Sequence, residues 1–253
     1  MIISHAHGYV FLKPRKVGGT SLEIALSRYC GVDDIITPIS PEDEQLRRVP
    51  GSRSAQNWAK PIFEWSLAEF SRLVSKRERP AKYYNHMPAS AVRTAIGSKT
   101  WDAYWRFSIV RNPFERIVSA YFWRTRNKPE RPPFHQWLLA NPRFLSENMD
   151  ITMENGKQSV NHFIRFEDMP DNLAYVSART CGNTDIVDAM KTIHAKGGHR
   201  KKEATAAMLF EGFAEGIHMV QDICGPELEI GNYPADPFQE DTCRTTAPGD
   251  LLP

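Results

Sequence analysis

The sequence predicts an α/β fold built on a mostly parallel sheet with helices on both faces. Two observations carry this reading. Residues 9–31 read as strand, tight glycine loop and helix, and a second unit of the same kind begins at residue 107. Strands alternating with helices imply parallel pairing through right-handed crossovers. The chain has 253 residues, 41% of them hydrophobic and 25% charged. That length fills one core and leaves no room for a string of modules, so residues 1–253 are taken as a single domain.

The first strand is the apolar run Tyr9, Val10, Phe11 and Leu12, bounded by basic residues and glycines. After Gly18 and Gly19, Thr20 or Ser21 is placed to cap a helix. Its apolar face is Leu22, Ala25, Leu26 and Tyr29 at i, i+3, i+4 and i+7, and Gly31 stands where a glycine ends it. The second strand is Phe107, Ser108, Ile109 and Val110. Arg111-Asn112-Pro113 breaks it, and Pro113 suits the first turn of a helix with the stripe Phe114, Ile117, Val118, Tyr121 and Phe122. Residues 161–166 form a third strand candidate, followed by a helix over 171–181. Ala206, Leu209, Phe210, Phe213, Ile217 and Val220 keep helical spacing to the last long helix, weakened by Gly212 and Gly216. Residues 33–85 are less regular, with Phe63, Leu67, Phe70 and Val74 marking one helix. Residues 127–133 are a basic, proline-rich connection, and the tail after Pro234 is polar.

The balance of 32 Lys and Arg against 30 Asp and Glu gives a net charge of +2. This excludes a strongly basic nucleic-acid module but not a local basic groove. No stretch approaches the roughly 20 apolar residues of a membrane span, and the amino terminus lacks the pattern of a secretory signal. Cys30, Cys181, Cys224 and Cys243 are far apart and read as free thiols in a reducing compartment, although an already trimmed secreted protein has the same appearance. The expected setting is cytoplasmic.

The loop from Lys13 through Ser21 joins a strand to a helix amino terminus, where unpaired N–H groups and the helix dipole favour an anion. Gly18 and Gly19 let the backbone approach it, Thr20 and Ser21 add hydroxyls, and Arg15 and Lys16 add positive charge. The set suits a phosphate or a sulfate. A nucleoside triphosphatase loop would carry lysine directly after the glycines and then Ser or Thr. Here Lys16 precedes them, and Arg111 stands at the end of the second strand where a magnesium-binding aspartate would be expected. The pattern favours a metal-free site with two anion pockets.

With both motifs in view, residues 11–22 resemble the 5′-phosphosulfate loop of sulfotransferases that use 3′-phosphoadenosine 5′-phosphosulfate. Residues 107–121, FSIVRNPFERIVSAY, resemble that family's 3′-phosphate motif, an arginine and a serine eight residues apart. The form of both is closest to the carbohydrate sulfotransferase branch. Asn85-His86-Met87-Pro88, residues 101–106, residues 163–168 and residues 224–233 resemble further family segments in the right order. The resemblance lapses at 33–80 and 127–160, and Arg15 departs from the small or apolar residue more usual before the lysine.

The resemblance implies a P-loop-like fold and sulfuryl transfer to a hydroxyl or amine acceptor, a carbohydrate, glycolipid or other small molecule. It implies that Arg15, Lys16, Gly18, Gly19, Thr20 and Ser21 hold the phosphosulfate, that Lys16 also neutralises the leaving phosphate, and that Arg111 and Ser119 grip the 3′-phosphate. A late basic loop closes over the nucleotide in such enzymes, which points to Arg200 or Lys201. His86 is the expected general base, with Glu23 and Glu167 as weaker candidates. Residues 33–85 and 127–160 are expected to shape acceptor choice. Trp101, Trp105 and Trp123 line an acceptor cleft or belong to the core; His5 and His7 lack a third metal ligand. The competing functions are a P-loop-like nucleotide kinase and a non-catalytic nucleotide-binding protein of the same fold.

Overall fold

The computed structural model describes residues 1–49, 51–182, 185–193 and 204–243. Its sheet is built from β1 (Ile2–Ser4), β2 (Tyr9–Phe11), β3 (Ile35–Ile36), β4 (Trp105–Val110) and a strand at His162–Arg165. A small hairpin of β5 (Met153–Glu154) and β6 (Lys157–Gln158) stands apart, so the His162–Arg165 strand is β7. The order is β3-β1-β2-β4-β7. β2 runs parallel to β4 and β4 to β7, while β1 is antiparallel to both its neighbours. Four strands therefore point the same way, and the mostly parallel sheet expected from the sequence is present. β1 and β3 are additions to it.

Alternation along the strands divides the core in two. Ile3, Val10, Leu12, Val110 and Phe163 face one side; Ile2, Tyr9, Phe11, Phe107, Ile109 and Ile164 face the other. The second side is covered by α1 (Gly19–Leu26) and by helices at Met169–Thr180 and Asp185–Thr192. The chain after α1 forms α2 (Pro41–Arg47) and α3 (Leu67–Lys76). It then forms α4 (Ala89–Ile96), α5 (Ser98–Ala103) and α6 (Pro113–Arg124). Three short helices follow, α7 (Phe134–Leu139), α8 (Arg143–Ser146) and α9 (Met149–Thr152), which makes the helices at 169 and 185 α10 and α11. α12 (Ala206–Phe210), α13 (Ala214–Ile223) and α14 (Gly225–Ile230) close the first side with α4, α6 and α7. Among the described residues, no helix is long and apolar enough to cross a membrane.

Two local expectations need correction, and for two tryptophans the choice between cleft and core is decided. Thr20 and Ser21 do not cap α1: Gly18 is the N-cap, in the left-handed region at φ 75°, and the two hydroxyl residues lie inside the first turn. The helix expected across residues 206–220 is two helices, because Gly212 turns left-handed at φ 69° between them. Trp101 is buried and Trp105 stacks on Phe107 at 4.5 Å, so both belong to the core.

Buried charges tie the elements together. Glu23 of α1 pairs with Lys13 and, at 2.8 Å, with Arg47, all three inaccessible to solvent. Arg116 of α6 bonds Glu227 of α14 at 2.7 Å. Arg165 of β7 pairs with Asp168 and Asp241. The Tyr233 hydroxyl donates to Glu167, which also accepts from the Asn112 N–H.

Candidate active site

β2 and β4 end side by side, so the segments that leave their carboxyl ends emerge together, where open parallel sheets hold ligands. The Leu12 N–H donates to the Phe107 carbonyl at 3.0 Å, and the Ser108 hydroxyl returns a bond to the Leu12 carbonyl at 3.0 Å. These contacts fix where the glycine loop begins relative to Arg111.

The loop then turns through two left-handed residues, Lys16 at φ 61° and Gly18 at φ 75°. At Gly18 a side chain is excluded twice over: the backbone conformation disfavours it, and a Cβ would stand 2.5 Å from the Phe166 ring. At Lys16, a residue that resists this conformation, the Arg111 guanidinium bonds the carbonyl at 3.0 Å. Arg111 also lies over the Phe166 ring, 4.4 Å from its centroid. Loop, arginine and aromatic ring form one packed unit.

His86 sits just ahead of α4, at φ 62°. Its Nδ1 lies 2.7 Å from the Lys13 carbonyl. A carbonyl only accepts, so Nδ1 carries the hydrogen and Nε2 keeps its lone pair. Burial, together with the charges of Lys13 and Arg15, lowers the imidazole pKa to about 3. It is therefore a neutral imidazole at physiological pH, with one ring nitrogen fixed and the other available to accept.

These parts enclose a cavity of about 430 Å³ lined by Arg15, Lys16, Gly18, Gly19, Thr20, Ser21, His86, Arg111 and Ser119. Every site residue expected from the sequence is here except Arg200 and Lys201, which lie outside the described residues. Of the alternative carboxylates, Glu23 is held in the core by Lys13 and Arg47, and Glu167 by Tyr233 and the Asn112 backbone. Lys13 is likewise a core residue and not part of the cleft.

Other lining residues were not legible as a set. Phe166, Met169, Met190 and Ile193 give an apolar wall, and Arg124, Phe144 and Glu147 line another side with Trp123, which the sequence offers as a cleft or core residue. The Lys16 ammonium lies 4.8 Å from the Trp123 ring centroid. Trp123 follows Ser119 by four residues on α6, a helical spacing that places both on one face. Glu147 carries no motif; it reaches the cleft as a partner of Arg15 at 3.3 Å, and burial raises its pKa. Phe144 and Glu147 belong to segment 127–160, whereas no residue of 33–85 is among the lining residues. His5 and His7 are engaged by the Tyr104 hydroxyl and the Tyr29 carbonyl.

The cleft combines cationic side chains, the three hydroxyls of Thr20, Ser21 and Ser119 and the N–H groups of the first turn of α1 beside an apolar wall. Such a set complements an anionic ligand with a flat hydrophobic portion.

Comparison with curated proteins returns no match. A solved structure, the crystal structure of a sulfotransferase from Alicyclobacillus acidocaldarius, is 18% identical, with 85% of this chain and 94% of that chain covered and a TM-score of 0.39. The sulfotransferase family model matches residues 1–215, running through 33–80 and 127–160 and ending before the segment at 224–233. With that match spanning most of its length, the chain belongs to the sulfotransferase family.

Proposed function

We propose that the cleft binds 3′-phosphoadenosine 5′-phosphosulfate and that the protein moves its sulfuryl group to a hydroxyl or amine acceptor. A carbohydrate or glycolipid is the acceptor class that the two sequence motifs favour. The observation that carries this reading is the convergence of the glycine loop, His86 and the Arg111–Ser119 segment on one cavity from three separate stretches of chain.

The donor supplies an electrophilic sulfur on a phosphate leaving group. Lys16, Thr20, Ser21 and the N–H groups at the start of α1 hold the phosphosulfate, with Arg15 adding charge at the loop's outer side. Arg111 and Ser119 take the 3′-phosphate, a planar guanidinium matching phosphate oxygens. Phe166, Met169, Met190 and Ile193 offer the apolar surface that a purine ring needs. Transfer of this kind depends on alignment and charge stabilisation, and Lys16 neutralises the charge that develops on the phosphate as its bond to sulfur breaks. His86 Nε2 accepts the proton of the acceptor as the new oxygen–sulfur or nitrogen–sulfur bond forms. A pKa near 3 would make it a feeble base on its own. Anionic charge brought into the cleft beside Arg15 offsets one of the cations that depress it, so donor binding strengthens the base.

Calorimetry with adenosine 3′,5′-bisphosphate in the presence of chelator tests the donor site, and mass gain of one sulfate across a panel of sugar and glycolipid acceptors tests the transfer. Binding that requires magnesium overturns the donor assignment in favour of a nucleotide kinase. Binding without turnover on any acceptor points to a nucleotide-binding protein.

A further inference from the structure

Among the described residues, the segment that leaves the cleft alone carries the most exposed large apolar side chains. α3 opens with a capping box between Ser66 and Glu69, and Lys60 braces Glu69 at 3.2 Å. The helix is amphipathic, yet it buries no residue. Leu67, Phe70 and Val74 fall on one stripe at i, i+3 and i+7, with Leu67 90% and Val74 84% exposed. Phe63, on the preceding 3₁₀ turn, is 88% exposed, and Ile62 beside it is exposed too.

An apolar stripe normally turns inward, because removing large apolar side chains from water is favourable. Here the stripe faces outward; by helical spacing Arg72 and Lys76 fall on the opposite face of α3, and Arg77, Arg79 and Lys82 follow the helix, all exposed. Residues 60–82 hold six basic side chains against three acidic ones, Glu64, Glu69 and Glu78, in a chain whose whole net charge is +2. Glu69 is already engaged by Lys60 and by the helix cap.

We propose that α3 and the turn before it dock on an anionic lipid surface, with Phe63, Leu67, Phe70 and Val74 in the interface and the basic residues of 72–82 on lipid headgroups. Amphipathic helices with large apolar residues on one face and lysine or arginine on the other bind membrane interfaces in this way. The shape agrees: a helix with no buried residue projects as a ridge, which a deformable lipid interface accepts and which a protein partner would have to match with a groove.

The test is co-sedimentation of the full chain with vesicles of phosphatidylcholine alone or mixed with phosphatidylglycerol. The expected result is binding to the mixed vesicles, at least about tenfold weaker on phosphatidylcholine alone and weakened by 0.5 M salt. The triple variant Phe63→Ser, Leu67→Ser, Val74→Ser should lose about 100-fold or more in partitioning while keeping the wild-type thermal transition. Should that variant fail to fold, Arg72→Gln, Lys76→Gln, Arg79→Gln tests the basic residues and should reduce binding to the level seen on phosphatidylcholine. Absence of binding to anionic vesicles overturns the proposal, as does wild-type binding by a folded triple variant. A solution dimer that the triple variant abolishes, without vesicle binding, assigns the face to a second copy instead. None of these readouts depends on donor binding, so they stand or fall separately from the proposed transfer.

Discussion

The carboxamide of Asn148 closes on the backbone of Arg15 from both sides, its Oδ1 accepting from the Arg15 N–H at 2.7 Å and its Nδ2 donating to the Arg15 carbonyl at 3.0 Å. The two residues are 133 positions apart, and Asn148 does for the loop what a neighbouring strand does for a sheet. It immobilises the position just before Lys16, whose left-handed backbone sets the course of the glycine turn. Glu227, paired with Arg116, also meets the Asn148 side chain, so the clamp is anchored in the buried network between α6 and α14.

The clamp leads to the first prediction. Asn148 is 2% exposed, so water does not readily replace it, and Asn148→Ala leaves both Arg15 backbone groups without their partner. That should cost about 1–3 kcal/mol of stability, measured by urea denaturation. Affinity for adenosine 3′,5′-bisphosphate should fall with it, because the loop must be ordered again on binding. A variant as stable as wild type with unchanged affinity would show that the clamp contributes to neither.

Arg111 has two tasks in the proposed site: it holds the Lys16 carbonyl and meets the 3′-phosphate. Arg111→Ala should reduce donor binding by roughly 1.5–3 kcal/mol, the range for a hydrogen bond to a charged group, while the protein remains folded. Comparing adenosine 3′,5′-bisphosphate with adenosine 5′-phosphate separates the tasks. The variant should lose most of the preference for the 3′-phosphorylated ligand. An equal loss for both ligands would assign Arg111 to the loop alone.

The parts that were readable in sequence are those whose chemistry is local. Strand, loop and helix at residues 9–31 follow from an apolar run, a glycine pair and helical spacing within 23 positions. Pro113 and Asn112 likewise mark the start of α6 in their own neighbourhood, Asn112 capping it by accepting from the Phe114 N–H. Asn148, Glu147 and Phe144 were not readable, because their positions come from packing between distant segments and nothing nearby distinguishes them. β1 escaped notice because three residues are too few for a pattern, and its hairpin with β2 depends on Gly8 at φ 65°. α3 was readable as a helix from Leu67, Phe70 and Val74, although Phe63, expected on it, falls on the 3₁₀ turn before it; the same spacing that predicts a helix also predicts burial of its stripe, and the stripe is exposed. Pattern gives the period; only the fold shows which way the face points.

Acid should destabilise the protein in two stages. His86 has its pKa lowered from 6.5 to about 3, by burial first and then by Lys13 and Arg15. For Glu23, burial favours the neutral acid, but Lys13, the amino group of Met1 and Arg47 override it and bring the pKa from 4.5 to about 2. Both groups bind protons more tightly in the unfolded chain, so the stability each provides is present above its unfolded pKa and is lost as pH falls. The His86 contribution declines from pH 6.5 towards 3 and that of Glu23 from pH 4.5 towards 2. Urea denaturation across this range should show His86→Gln flattening the earlier stage. Glu23→Gln should flatten the later one and cost about 3–5 kcal/mol at neutral pH by stranding Lys13 and Arg47 in the core. Identical pH profiles for wild type and His86→Gln would contradict the assigned neutral state of the buried imidazole.

The last prediction concerns turnover. With Nδ1 committed to the Lys13 carbonyl, His86 has only Nε2 to offer, and that nitrogen is unprotonated over the whole neutral range. It can therefore accept a proton from the acceptor without first losing one. His86→Ala should leave adenosine 3′,5′-bisphosphate affinity close to wild type and cut turnover by roughly 10²–10⁴, the usual range for general bases. His86→Gln is the stricter variant, because its amide can keep a bond to the Lys13 carbonyl while lacking basicity. It should be as slow as His86→Ala if the proton matters, and near wild type if only the loop contact matters. In wild type the acid limb of kcat/KM, which reports the free enzyme, should fall well below pH 6.5. That of kcat should lie higher, because bound donor raises the imidazole pKa. A folded His86→Ala enzyme at wild-type rate would remove this residue from the chemistry. Attention would then pass to Glu147, the carboxylate that lines the cleft and whose pKa burial already raises; Glu23 and Glu167 are committed to the core and to Tyr233.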